Sequence, residues 1–131
     1  MSKKIKEIST TSKRVKKTDN NNLLFTTIID AIQEKKGETV VSLDLRAIDE
    51  AVAEYFIICE AQTPIQMSAI TLNVLDKVQK TCFEKPYHSE EGQAWTLIDY
   101  VNIVVHVFQR EERKFYDLEG LWMDAELQKH E

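Results

Sequence analysis

Four residues, Thr63-Pro64-Ile65-Gln66, mark the start of a helix and constrain this chain more than any other segment. Threonine at the N-cap accepts from a backbone N–H of the first turn. Proline at N1 has no N–H to leave unsatisfied, and glutamine at N3 can reach back to an orphan donor. Met67, Ile70, Val74 and Val78 then recur at helical spacing to about Cys82. The run before this helix, Tyr55-Phe56-Ile57-Ile58-Cys59, is apolar without alternation and reads as a central strand covered on both faces. A strand, a long helix and further strands in that order require a crossover, so at least one strand pair is parallel.

The remaining segments fill in an α/β domain. Asn20 to Asn22 offer an N-cap for a first helix with Leu24, Phe25, Ile28, Ile29 and Ile32 on one face, and Gly37 is expected to end it as a left-handed C′ residue. Thr39 to Leu45 alternates, with Val41, Leu43 and Leu45 on one side. After Pro86 come a short strand at Tyr87 to Glu90, a turn at Glu91-Gly92, and strands at Trp95 to Asp99 and Ile103 to Phe108. The last two are joined as a hairpin through Tyr100-Val101-Asn102. Arg110 to Tyr116 starts a short helix, from which Phe115, Leu118 and Trp122 are expected to fold back on the domain. The expected architecture is a single domain, residues 20–131, with a mixed sheet of about five strands packed by helices.

Charge divides the chain in two. Residues 1–19 carry seven basic side chains against Glu7 and Asp19, a net +5; with −5 for the whole chain, the remainder carries −10. Such an acidic body repels phosphate backbones and attracts basic surfaces, which points to a basic protein partner. The basic segment has no periodic apolar face and reads as a disordered, solvated tail. RNA contact, if the chain makes any, falls to that tail. No apolar run reaches the ~20 residues of a membrane helix. No apolar segment follows the basic start as in a secretory signal, so Cys59 and Cys82 read as reduced thiols of a cytoplasmic protein.

Few residues are arranged for chemistry. His106 and Asp99 lie on the two strands of the hairpin, and a carboxylate beside an imidazole can orient a general base. No Ser or Cys motif supplies a nucleophile, so His106 reads as a strand residue with one satisfied ring nitrogen. Asp44, Asp49 and Glu50 resemble a carboxylate cluster for magnesium, but loop acids are ordinarily solvated. Three glycines exclude Walker and dinucleotide loops, and the scattered histidines and cysteines lack zinc spacing. Trp95, Tyr100, Tyr116 and Trp122, interspersed with Asp99, Asp117, Glu119 and Asp124, instead suggest an aromatic patch with an acidic rim. Phe115, Leu118 and Phe56 are expected to be core.

From about Leu23 to Asp124 the chain resembles the ribosomal silencing factor (Iojap-like) family. The resemblance rests on Leu43-Asp44-Leu45, Tyr55 to Cys59, Gln66 with Ala69-Ile70, and Glu91-Gly92. Most specific are Trp95-Thr96-Leu97-Ile98-Asp99-Tyr100, Val104-Val105-His106-Val107-Phe108 and Arg113 to Trp122. It implies a fold like that of nucleotidyltransferases without their active site, no cofactor, and a non-enzymatic factor. Such a factor binds large-subunit ribosomal protein number fourteen, blocks joining of the small subunit and represses translation when nutrients run short. Members are often dimeric. On this reading Trp95, Asp99, His106, Tyr116, Glu119 and Trp122 lie at or under the partner-binding face. The competing reading is a magnesium-dependent nucleotidyltransferase-like enzyme using Asp44 with Asp49 or Glu50. The chain departs from the family pattern at Glu54, at Glu60-Ala61 and at Val101-Asn102, where Gly-Asp is customary. That hairpin is therefore expected to reach positive φ through Asn102 or a wider loop.

Overall fold

The computed structural model describes residues 17–131, with side chains from residue 21 onward; the expected tail lies almost wholly outside these residues. In chain order the elements are α1 (Lys17–Glu34), β1 (Glu38–Asp44), β2 (Tyr55–Ala61), α2 (Pro64–Cys82), β3 (His88–Glu90) and β4 (Trp95–Asp99). They continue with β5 (Ile103–Gln109), α3 (Arg110–Tyr116), α4 (Leu118–Leu121) and β6 (Glu126–His130). The sheet has the order β3-β4-β5-β2-β1-β6. The crossover through α2 makes β2 and β5 parallel, from Tyr55 opposite Ile103 to Ala61 opposite Gln109. All other neighbours are antiparallel. The α/β class and the mixed sheet agree with the sequence; the strand count rises to six because β6 pairs with β1.

Strand alternation divides the apolar residues between two cores. On one face, Ile57, Cys59, Ala61, Val105 and Val107 meet Leu24, Ile28 and Ile32 of α1 and Met67, Ile70, Val74 and Val78 of α2. On the other, Val41, Leu43, Phe56, Ile58, Val104 and Phe108 are covered by Leu45, Ala53 and Leu118, with Trp95 and Trp122 packed at the margin. Each fully buried Ile, Leu, Val or Phe contributes about 1.5–3 kcal/mol from area removed from water. Among the described residues, no long helix lies over the second face. Loops and the short helices α3 and α4 roof it, and Phe56, Trp95, Phe108 and Trp122 gather there.

The capping residues behave as their chemistry dictates, with one extension. Thr63 Oγ1 accepts from Gln66 N at 3.1 Å, while Gln66 Oε1 accepts from Gln62 N at 2.8 Å, one residue before the cap. The Gln66 amide also donates to the Lys35 and Lys36 carbonyls, closing the end of α1.

Two local expectations are corrected. Helix α1 is already helical at Lys17, where the described residues start, so Asn20 to Asn22 lie inside it. Asn21 is drawn inward by tertiary bonds, donating to Glu54 at 2.7 Å and accepting from Asn102 at 3.4 Å. At its other end Lys36 (φ 63°), not Gly37, takes the left-handed position. Gly37 is the next residue of a Schellman motif, donating to Ile32 O at 3.0 Å while Lys36 donates to Gln33 O. A Cβ on Gly37 would lie 2.4 Å from Ile32 Cγ2, which explains the glycine without any need for positive φ. Lys36 is exposed and pays for the left-handed backbone alone. Lys36→Gly is accordingly expected to raise stability by about 0.5–1 kcal/mol, read as a higher urea midpoint at unchanged slope; a lower midpoint would refute it.

The β4–β5 turn also differs from expectation. Val101, not Asn102, carries positive φ (75°), with Asn102 N donating to Tyr100 O across it. This is a γ-turn of the rare, strained hand. Asp99 Oδ1 accepts from Val101 N at 2.8 Å and holds the turn, while Val101 itself is buried and gains packing.

Candidate interaction face

Strand β5 lines up His106 and Phe108 on the roofed face, and β4 supplies Trp95 beside them. Trp95 stacks on Phe108 with centroids 4.9 Å apart and lies 4.8 Å from Tyr116 of α3. Phe56 of β2 meets His106 edge-on at 4.5 Å and Trp122 at 6.0 Å. Such tilted and offset pairs add about 0.5–1.5 kcal/mol each beyond area burial. A continuous ring layer thus runs from the sheet out to α3 and to Trp122.

His106 is the buried hub of this layer. Trp95 Nε1 donates to its Nδ1 at 3.1 Å, which places the ring proton on Nε2, and that nitrogen has no hydrogen-bond partner. Burial disfavours an imidazolium here and lowers the pKa to about 3. In the unfolded chain the same group titrates near 6.5. Between those values the unfolded chain binds a proton that the folded chain refuses, so stability falls as pH drops from 6.5 toward 3. Burial raises the Asp99 pKa, and that contribution has the opposite sense, its cost being relieved on protonation. A His106→Gln variant keeps an acceptor for Trp95 but does not titrate. The wild type is expected to lose about 2 kcal/mol relative to this variant between pH 7 and pH 5, measured by urea unfolding. Parallel pH profiles would remove this role from His106.

The six residues expected at the face are thus distributed unevenly. Trp95, His106, Tyr116 and Trp122 come together through Phe56 and Phe108, but His106 is interior. Tyr116 is 40% exposed. Glu119 is held by Arg113 at 2.7 Å. Asp99 is fully buried, so it cannot meet a partner's basic side chain as expected. Nor does it pair with His106: register sets Asp99 opposite Val104 and Leu97 opposite His106. Tyr100 is also buried, on the helix-packed side. Leu118 and Phe56 are core as read, whereas Phe115 is 78% exposed. On a seven-residue helix Arg113 and Tyr116 share one face and Phe115 points away, a spacing the sequence already contained. Leu121 and Met123, 72% and 79% exposed, follow within the next residues of the chain and carry no signal beyond their apolarity.

Asp44 is committed elsewhere. Its two oxygens accept from Arg46 at 3.0 and 2.7 Å, and the guanidinium beside it lowers its pKa. No group of three His, Cys, Asp or Glu that could hold a metal gathers among the described residues. No helix among them is long and apolar enough to cross a membrane.

Comparison with known proteins decides the family. The family model described as "Ribosomal silencing factor during starvation" matches residues 17–131. The chain belongs to the ribosomal silencing factor family. It is 36% identical over 107 residues to ribosomal silencing factor RsfS of Halalkalibacterium halodurans, covering 81% of this chain and 91% of that protein. The chloroplastic protein Iojap of Zea mays is 32% identical over 71 residues, covering 54% of this chain and 31% of its own length. A crystal structure of a Bacillus halodurans protein superposes with a TM-score of 0.69 at 33% identity, covering 78% of this chain and 95% of that one. Another, from Chromobacterium violaceum, gives 0.71 at 26%, covering 76% and 83%. The family expected from the strand and helix motifs, and its mixed α/β fold, are both upheld.

Proposed function

We propose that this chain represses translation by docking the surface of α3 and α4 on a basic protein of the large ribosomal subunit, where its bulk blocks joining of the small subunit. Family membership supports the ribosome as target, and resemblance suggests ribosomal protein number fourteen as the docking site. One observation carries the reading: Phe115, Tyr116, Leu121 and Met123 are apolar, close together in the chain and uncovered, and we read them as one strip on a body of strongly negative charge. Exposed acids Asp117 and Asp124 are interspersed with it. Apolar centre and charged rim are the anatomy of a protein interface. Trp95, His106 and Trp122 support the strip from beneath, and Tyr116 contributes its own exposed edge. The acids steer the encounter, so association weakens as salt rises. The reading places the chain in the cytoplasm with no cofactor.

The test is sedimentation of the full chain with purified large subunits, followed by a subunit-joining assay. Co-sedimentation and a dose-dependent loss of joined ribosomes are expected. Failure to associate, or joining at the unperturbed level with large subunits saturated, would sink the proposal.

A further inference from the structure

Helices α3 and α4 have seven and four residues, too short to be stable alone. Something outside them must fix the strip they carry. Leu118 anchors one point by burial. A second anchor is Arg113, a guanidinium only 6% exposed at the middle of α3. Its Nη1 donates to Thr39 O at 2.6 Å and to Glu60 Oε1 at 3.2 Å; its Nε and Nη2 donate to Glu119 Oε2 at 3.2 and 2.7 Å. Three elements, β1, β2 and α4, are thus tied to α3 by one side chain.

The sheet is shaped to receive that side chain. Between Glu38 and Val41 the β1–β2 register slips, and Thr39 takes φ 49°. Such a bulge disrupts the ladder locally, and Arg113 takes up the Thr39 carbonyl at this point. Glu60 accepts from Arg113 on one oxygen and from Arg110 on the other, and Arg110 also pairs with Glu38. A planar fork with five donors serves a carbonyl and two carboxylates in fixed directions, which the compact ammonium of lysine does not match.

We propose that Arg113 is the positioning residue of the docking face: through Thr39, Glu60 and Glu119 it fixes α3 and α4 against the sheet and so presents Phe115, Tyr116, Leu121 and Met123 in one pre-organised surface. This rests on the docking reading above and adds to it the residue that sets the geometry. Arg113 touches no partner itself. It acts by removing freedom that association would otherwise have to remove.

The test compares Arg113→Gln, Glu60→Gln and Tyr116→Ala with the wild-type full chain in two measurements: amide hydrogen exchange and co-sedimentation with large subunits. Glu60→Gln matters because it loosens the Arg113 anchor from β2 without altering any side chain of the strip. It also replaces Arg113→Gln should that variant not fold. Exchange is expected to accelerate at least tenfold in residues 110–122 of both anchor variants, with β2 and β5 unchanged. Association is expected to weaken at least tenfold in Arg113→Gln and several-fold in Glu60→Gln. Arg113→Lys, which keeps charge but loses the fork, is expected to restore association only in part. Acceleration spread evenly through β2 and β5, or exchange in 110–122 equal to wild type, would overturn the positioning role. If Tyr116→Ala weakens association and the anchor variants do not, positioning fails while the docking reading stands. If Tyr116→Ala also binds as wild type, the docking reading is what fails, and exchange alone decides the anchor.

Discussion

Replacing Phe115, Leu121 and Met123 together by alanine is expected to weaken association with large ribosomal subunits by about a hundredfold or more, with little change in thermal unfolding. The two halves of that result have one cause. These side chains are 72–79% exposed, so the folded monomer gains little from them, and surface substitutions ordinarily shift stability within about 0.5 kcal/mol. Docking would bury them, and an aromatic or long aliphatic anchor seated in a partner is where interface energy concentrates. Ile65 and Leu72 supply the control. They are 83% and 63% exposed but sit on α2, in the helical layer on the other side of the sheet. Ile65→Ala with Leu72→Ala should sediment with large subunits as wild type does. A triple variant that binds normally would move the docking face elsewhere.

Phe108→Ala carries the largest expected effect on stability. The ring is completely buried, stacks with Trp95 at 4.9 Å and lies 5.8 Å from Tyr116. Its loss combines transfer free energy with a cavity that β5, hydrogen-bonded on both sides, cannot collapse, for about 3–5 kcal/mol. Urea unfolding followed by tryptophan fluorescence reads both consequences: a lower midpoint, and an altered native spectrum as Trp95 loses its stacking partner. A loss below about 1 kcal/mol would show that the ring layer is not packed as described. Unlike the surface triple, this variant weakens association only through the support it removes.

Where interactions are local in the chain, the sequence was readable. Thr63-Pro64-Ile65-Gln66 announced α2, and Val41, Leu43 and Leu45 announced the face of β1, because both signals lie within one element. Strand β6 carries no such local signal, for the complementary reason. Glu126-Leu127-Gln128-Lys129-His130 is an edge strand with little burial, so no apolar period marks it; its pairing with β1 and the Ser42–His130 bond at 2.9 Å are tertiary. The His106–Asp99 pairing failed because residues on adjacent strands meet only in the correct register. Arg113 was hidden among charged neighbours: in sequence it looks like a solvated helix cation, and only the bulge at Thr39 and the carboxylate of Glu60 make it interior. Most of the candidate face was therefore legible as composition, but not the division between its exposed strip and its buried support.

The strand order β3-β4-β5-β2-β1-β6 has a kinetic consequence. Its central parallel pair cannot form until the chain has passed through α2, β3 and β4 to reach β5, and β1 then waits for β6 to cover its outer edge. Pairings so distant along the chain must meet the entropy of closing long loops before they gain contacts, which slows folding relative to a helical bundle of the same size. Because β6 can pair only with a β1 already in place and closes the outer edge last, its contacts are expected to form after the rate-limiting step. Changes in β6 therefore alter the lifetime of the folded state more than the time needed to reach it.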